Sequence, residues 1–219
     1  MNLIFSIMGL IGGLLCCVGD LLFDLKGKGN EKLGTSKNID SNWSKMAEWR
    51  FGLSIIFAMF GVILVGFGFY AIGDMIREND IILSNLLLIT GFIGCVGGLF
   101  VHSLLCLQAV IYKRITDNGK SNFELADNTL EGFYKAIMFP FFLAYIILMI
   151  ADICIAVAVL NGSLGVPKWM ALLNSIVFLI IGVLFRKASP DKFQDLPGII
   201  MPSLGLAMVG VIGIVAYVM

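Results

Sequence analysis

The chain of 219 residues is 59% hydrophobic and 14% charged, with a net charge of zero and a mean hydropathy of +0.96. This apolar share exceeds that of a soluble globular domain. Nucleic-acid binding needs a concentrated basic surface, and a net charge of zero gives no indication of one. The five cysteines lie inside apolar runs without a Cys-x-x-Cys spacing, which is typical of buried free thiols. These observations predict one integral membrane domain over residues 1–219.

Six apolar runs predict an all-α helical bundle with six transmembrane helices. The first run has no preceding Lys or Arg and no A-x-A site after it, so we expect a retained helix rather than a cleaved signal peptide. The third run exceeds one crossing and predicts a tilted helix that extends beyond the bilayer. The predicted spans are residues 3–25, 52–72, 81–112, 136–160, 169–185 and 199–219.

Two polar connections are predicted to contain short amphipathic helices that lie at the membrane surface. In residues 40–50, Trp43 and Met46 recur at helical spacing before the second span. In residues 121–135, an apolar stripe lies beside an acidic one at the same spacing. The glycines of residues 26–34 predict a flexible loop before the first of these helices.

Basic residues are unequally distributed among the connections between spans. Residues 26–50, 113–135 and 186–198 carry six, four and three Lys or Arg, whereas residues 73–80 and 161–168 carry one each. Basic loops stay on the cytoplasmic side of a membrane. We therefore expect a protein of the bacterial plasma membrane with these three loops in the cytoplasm and both termini outside.

Four ionisable side chains lie inside predicted spans: Asp20, Asp24, His102 and Asp152. A charge near the bilayer centre costs at least about 2.5–3.5 kcal/mol, so each of them needs a partner or a cavity. Asp20 and Asp24 lie at i and i+4, on one face of the first helix. Two interpretations remain open for this face: an ion pair that anchors the end of the helix, or a functional carboxylate.

His102 is the only histidine of the chain, and its predicted depth is similar to that of Asp20. Either the neutral imidazole bonds to a neighbouring helix, or Asp20 and His102 form an acid–base pair. Cys106 shares the face of His102 one turn later, although an apolar helix face disfavours a thiolate nucleophile. Asp152 is either protonated and bonded to another helix or exposed to water in a cavity.

These residues predict a polar pocket that opens towards the cytoplasm. Asp20 and His102 are its candidate catalytic residues, whereas Asp24, Cys106 and Asp152 are candidates for binding substrate or protons.

No cofactor and no metal site are predicted. A single histidine without a thiolate cluster does not by itself form a zinc site. The acidic stripe of Glu124, Asp127 and Glu131 offers oxygen ligands for a divalent cation. A solvated face is the favoured interpretation, because Glu131 and Lys135 lie at i and i+4 and are expected to pair.

Three segments resemble a family of uncharacterised bacterial multi-pass membrane proteins. They are GDLLFDLKGKGN at 19–30, IDSNWSKMAEWRFGLS at 39–54 and GGLFVHSLLCLQAVIYK at 97–113. The resemblance runs over most of the chain and implies about six helices with no assigned activity.

A fainter similarity concerns the lysoplasmalogenase-like membrane hydrolases. It is carried by Gly19-Asp20-Leu21-Leu22 within a helix and by His102 after Phe100. Members of that family use intramembrane acidic residues, so the similarity implies a hydrolytic role for Asp20.

Three functions are compatible with the sequence. An enzyme would act on a lipid or another membrane-dissolved substrate, with Asp20 and His102 as acid and base. A proton-coupled transporter of small molecules would use Asp152 as well, and a non-catalytic scaffold or accessory subunit would need none of these residues. The expected partners are the lipid bilayer and a lipid or small-molecule substrate, and nucleic acid is not among them.

Overall fold

The computed structural model describes residues 1–117, 122–189, 193 and 200–219. Five of the helices in these residues are long and apolar enough to cross a membrane, and the fold is all-α as predicted. The helices are α1 Asn2–Asp24, α2 Glu48–Ile76, α3 Ile81–Thr116, α4 Phe123–Leu160, α5 Ser175–Ala188 and α6 Met201–Val218. We call the end of the bundle that carries residues 25–47 the basic end.

The fifth predicted span, 169–185, is interrupted in the structure. A 3-10 helix occupies Lys168–Leu172, and α5 begins only after Asn174, whose extended backbone and side chain cap the new helix at the N–H of Val177. α5 has 14 residues, or about 21 Å, which is short of the hydrocarbon thickness of about 30 Å. Hydropathy did not reveal this break because Asn174 and Ser175 are only two polar residues within an otherwise apolar run.

The two predicted surface helices also differ from the structure. In place of the first, the chain forms a 3-10 helix over Ser41–Lys45, and α2 starts at Glu48. In place of the second, residues from Phe123 onward form the first turns of α4, and residue 121 lies outside the described residues. The helix continues because the buried stripe of Ala126 and Leu130 packs in one cluster with α3.

Helices α3 and α4, of 36 and 38 residues, are long enough to extend beyond a bilayer. A small hairpin covers their ends, with Lys32–Leu33 paired to Ile39–Asp40 in an antiparallel ladder. The backbone N–H of Thr35 donates to the Asp127 carboxylate at 3.1 Å. Residues 26–34, which were predicted to form a flexible loop, thus include the first strand of this hairpin, Lys32–Leu33.

Helix α1 packs between α2 and α6 through small residues. A Cβ atom at Gly12 would lie 2.5 Å from the carbonyl oxygen of Gly61, and one at Gly13 would overlap the backbone of Ala207. Such contacts let two helix backbones approach closely in a membrane. We call this α1–α2–α6 packing the seam. Residues of these three helices line one side of a cavity inside the bundle.

Candidate functional site

A cavity of about 370 Å³ lies between the helices, and all six of them contribute to its lining. Its volume is in the range of small-molecule sites, and most of its lining is apolar. The polar and charged lining residues are Asp20, Asp24, His102, Tyr145, Asp152, Ser175, Arg186 and Ser203. Four of the five predicted site residues therefore line the same cavity.

The structure brings Asp20 and His102 together. Asp20 Oδ1 lies 3.7 Å from His102 Nδ1, and the two side chains are 19% and 18% exposed. The other carboxylate oxygen, Oδ2, accepts a hydrogen bond from the Ser203 hydroxyl on α6 at 2.5 Å. The distance between Oδ1 and Nδ1 exceeds that of a hydrogen bond but is within reach of proton transfer after a small side-chain movement.

Ser54 on α2 orients the imidazole from the other side. Its hydroxyl oxygen lies 2.9 Å from His102 Nε2 and 2.7 Å from the carbonyl oxygen of Gly19. The hydroxyl has one proton, so when it donates to Gly19 it accepts from an N–H at Nε2. The second ring nitrogen, Nδ1, is then left facing Asp20, and the two ring nitrogens have different partners.

Cys106 lies behind this group and does not line the cavity. Its side chain is fully buried, and its thiol donates to Ser54 Oγ at 3.5 Å. The position supports the orientation of Ser54 and gives the sulfur no access to a substrate in the cavity.

Asp24 lies at the edge of the cavity in an ion pair. Lys26 Nζ is 2.6 Å from Asp24 Oδ1 and 3.3 Å from the buried carboxylate of Asp40. Burial lowers the pKa of Lys26, but these two carboxylates outweigh it and raise the pKa above its ordinary value. Arg50, a nearby cation at the beginning of α2, donates to the carbonyl oxygens of Leu21 and Leu25.

Asp152 on α4 faces the beginning of α5. Its side chain is 1% exposed, and its Oδ2 accepts a hydrogen bond from the backbone N–H of Ser175 at 3.1 Å. The positive end of the α5 dipole stabilises a carboxylate at this position. Among the described residues, neither Asp152 Oδ1 nor Ser175 Oγ has a hydrogen-bond partner.

The acidic stripe on α4 makes structural contacts. Asp127 accepts from Thr35, and Glu131 pairs with Lys135 at 2.7 Å, which confirms the predicted i, i+4 pair. Within the part of the chain that the structure describes, no group of three or more His, Cys, Asp and Glu side chains is arranged to hold a metal ion.

Sequence reasoning missed the serines that hold the candidate pair. Ser54 and Ser203 are single hydroxyl residues in apolar helices, where serine often bonds to its own helix backbone. Their spacing relative to Asp20 and His102 along the chain carries no signal, because they come from different helices. Only the packing of α2 and α6 against α1 and of α2 against α3 places them at the carboxylate and the imidazole.

The chain belongs to the family of unknown function DUF6796, which it matches along residues 1–219. It matches no curated protein and no solved structure. Membership of a family without an assigned activity, expected from the sequence, is thereby confirmed.

Proposed function

We propose that this membrane protein binds a lipid or another membrane-dissolved substrate in its cavity and that Asp20 and His102 exchange protons with it. One observation carries the proposal: the carboxylate and the imidazole lie 3.7 Å apart and both line the cavity. A charged side chain within a bilayer is costly, and those that occur usually belong to functional sites. A carboxylate that is paired and also lines a cavity fits this pattern.

The contacts of the pair suit acid–base catalysis. Ser203 holds Asp20, and Ser54 holds the far nitrogen of His102, so both groups are oriented before substrate binds. Such a pair removes a proton from an attacking water and returns one to the leaving group. The faint similarity of Gly19-Asp20-Leu21-Leu22 to lysoplasmalogenase-like hydrolases also favours a hydrolytic reaction.

The packing of α5 supports entry of the substrate from the lipid. α5 packs mainly against α6 and only slightly against α4, although both α4 and α5 line the cavity. An opening between these two helices would admit an amphiphile sideways, with its apolar part remaining in hydrocarbon. We therefore place the substrate entrance between α4 and α5.

We further propose that the protein lies in a bacterial plasma membrane with its basic end in the cytoplasm. The Lys and Arg counts of the connections support this orientation. A fusion after Met219 tests it: alkaline phosphatase should be active there and green fluorescent protein dark. The opposite pattern would place the termini inside.

Lipid turnover tests the proposed chemistry. The full chain, reconstituted with a bacterial lipid extract, should form products, detected by mass spectrometry, that Asp20→Asn and His102→Gln abolish. Asp74→Asn is the matched control, because Asp74 is an exposed carboxylate bonded to Asn2, outside the cavity. Equal turnover by folded Asp20→Asn protein would contradict the assignment.

Proton-coupled transport is the second candidate, and the position of Asp152 favours it. Discontinuous helices that begin inside a bundle form the ion and substrate sites of many transporters. α5 begins in this manner, with Asp152 at its first N–H. If liposomes show pH-dependent uptake that Asp152→Asn abolishes, while no lipid is consumed, transport replaces catalysis. A scaffold would tolerate both this variant and Asp20→Asn.

A further inference from the structure

The beginning of α5 carries two buried polar atoms that lack partners. Asp152 Oδ1 and Ser175 Oγ make no hydrogen bond with the described residues, and their side chains are 1% and 9% exposed. The backbone N–H of Ser175 donates to the other carboxylate oxygen, Asp152 Oδ2, at 3.1 Å, so both unpartnered atoms lie at this one contact between α4 and α5. Buried polar atoms are nearly always paired, so an unpartnered acceptor and hydroxyl beside a cavity indicate a ligand.

We propose that Asp152 and Ser175 form a polar subsite that binds the protonated amine of an amphiphilic ligand. The inference rests on the proposed function only in placing this ligand in the same cavity. Asp152 Oδ1 needs a hydrogen-bond donor, and an ammonium group supplies both the N–H and a positive charge next to the carboxylate.

The charges around the cavity favour a cation at this position. Lys26 already pairs with Asp24, which leaves the carboxylates of Asp20 and Asp152 facing the interior. Arg186 is the only Lys or Arg that lines the cavity among the described residues. It lies eleven positions after Ser175, about 16 Å along α5, and does not compete for Asp152.

The remaining lining accommodates an alkyl chain. Leu148 on α4, Leu179 on α5 and Leu206 on α6 surround the cavity near the subsite. A volume of about 370 Å³ holds a short chain with its head group. The ligand class is therefore a primary or secondary amine with an apolar tail.

Four ligands with the same octyl or similar chain test separately whether the subsite requires a hydrogen-bond donor and whether it requires a positive charge. Octylamine offers a donor and a charge, octanol a donor alone, octyltrimethylammonium a charge alone, and octanoate neither at neutral pH. The full chain in nanodiscs should bind octylamine about tenfold more tightly than octanol or octyltrimethylammonium, by calorimetry against empty nanodiscs. Octanoate should bind most weakly.

Two variants assign the preference to the subsite. Asp152→Asn keeps an oxygen for the N–H of Ser175, so it should fold and lose about tenfold in octylamine affinity while octanol binding changes little. Asp74→Asn, at an exposed carboxylate outside the cavity, should bind all four ligands as the wild type does. Ser175→Ala should weaken octylamine by a smaller factor.

Octylamine affinity equal to that of octanol, or unchanged in folded Asp152→Asn protein, would overturn the subsite. If the Ser175 hydroxyl already donates a hydrogen bond to Asp152, octylamine affinity should be unchanged in the Asp152→Asn protein. Failure of the proposed function is distinguishable, because it would be seen as turnover that survives Asp20→Asn. Octylamine binding that depends on Asp152 and persists in Asp20→Asn supports the subsite whatever the reaction.

Discussion

The two sides of the cavity are built differently. On the side of the seam, α1, α2 and α6 pack backbone to backbone through glycines, and their serines hold Asp20 and His102. On the side of α4 and α5, the packing is sparse and a helix begins within the bundle. Two buried polar atoms there have no partner within the part of the chain that the structure describes. The seam and the packing of α3 on α2 hold the candidate acid–base pair, whereas the α4–α5 side has polar atoms without a partner among the described residues.

The contrast indicates how the site divides its tasks. Proton transfer requires groups held within a fraction of an ångström, and close-packed helices provide that precision. Binding of different amphiphiles requires two helices that can move apart, and α5, which is short and makes few contacts with α4, meets this requirement. The predictions below test each side, beginning with the largest expected effect.

The seam should fail when a single methyl group is added. Gly13→Ala places a Cβ into the backbone of Ala207, which no side-chain rotation relieves, and should lower the free energy of unfolding by about 3 kcal/mol or more. Gly66→Ala meets open space in α2 and should change stability by less than about 1 kcal/mol, towards greater stability. Denaturant unfolding in detergent compares the two. Equal effects would show that the helices of the seam are not in backbone contact.

Loss of the ion pair at the end of α1 should lower the free energy of unfolding by nearly as much as Gly13→Ala does. Lys26→Met leaves Asp24 and the buried Asp40 without this cation and should cost about 3 kcal/mol. Lys32→Met removes a cation that also pairs with Asp40, but its side chain is 55% exposed, so the loss should stay below about 1 kcal/mol. Similar losses for the two variants would mean that burial does not strengthen the Lys26 pair.

The Lys26 pair also predicts a dependence on pH. The pKa of the Lys26 ammonium group is raised in the folded protein above its ordinary value of 10.5. The stability that this group contributes is therefore fully present below pH 10.5, and it is lost as the pH rises through the pKa of the folded state. Wild-type protein should therefore destabilise at alkaline pH more steeply than Lys26→Met protein. Parallel pH profiles for both would contradict the raised pKa.

Removal of the Ser54 hydroxyl should have a moderate effect. Ser54→Ala leaves Nε2 of the partly buried His102 without its partner and should cost about 2 kcal/mol. Ser103→Ala is the control, because its hydroxyl only bonds to the Leu99 carbonyl of its own helix. If the two variants unfold at the same denaturant concentration, Ser54 does not hold the imidazole.

The α4–α5 side should be the most tolerant. Asp152→Ala removes the acceptor of the Ser175 N–H and should cost about 1–2 kcal/mol, whereas Asp152→Asn keeps an acceptor and should cost less. Thermal unfolding in nanodiscs measures both. An equal cost for the two variants would mean that the charge of Asp152, and not its acceptor oxygen, stabilises the fold.

Much of this architecture could be predicted from the sequence because it depends on local composition. Apolar runs indicated the membrane helices, and depth along two helices suggested that Asp20 and His102 lie at one level. The hairpin of residues 32–40 could not be predicted, because its turn contacts Asp127, which lies 92 residues after Thr35 in the sequence. The break before α5 and the contact of Ser54 with His102 each depend on one or two residues. Their roles could not be predicted, because they are set by contacts that the order of residues does not show.

The coupling of Asp20 with His102 is the central claim, and the single histidine of the chain makes it directly measurable. In protein labelled with ¹⁵N-histidine, the two imidazole nitrogens give signals from His102 alone. Asp20→Asn should shift the Nδ1 signal and leave Nε2 nearly unchanged, whereas Ser54→Ala should shift Nε2. An Nδ1 signal identical in wild-type and Asp20→Asn protein would contradict the pair.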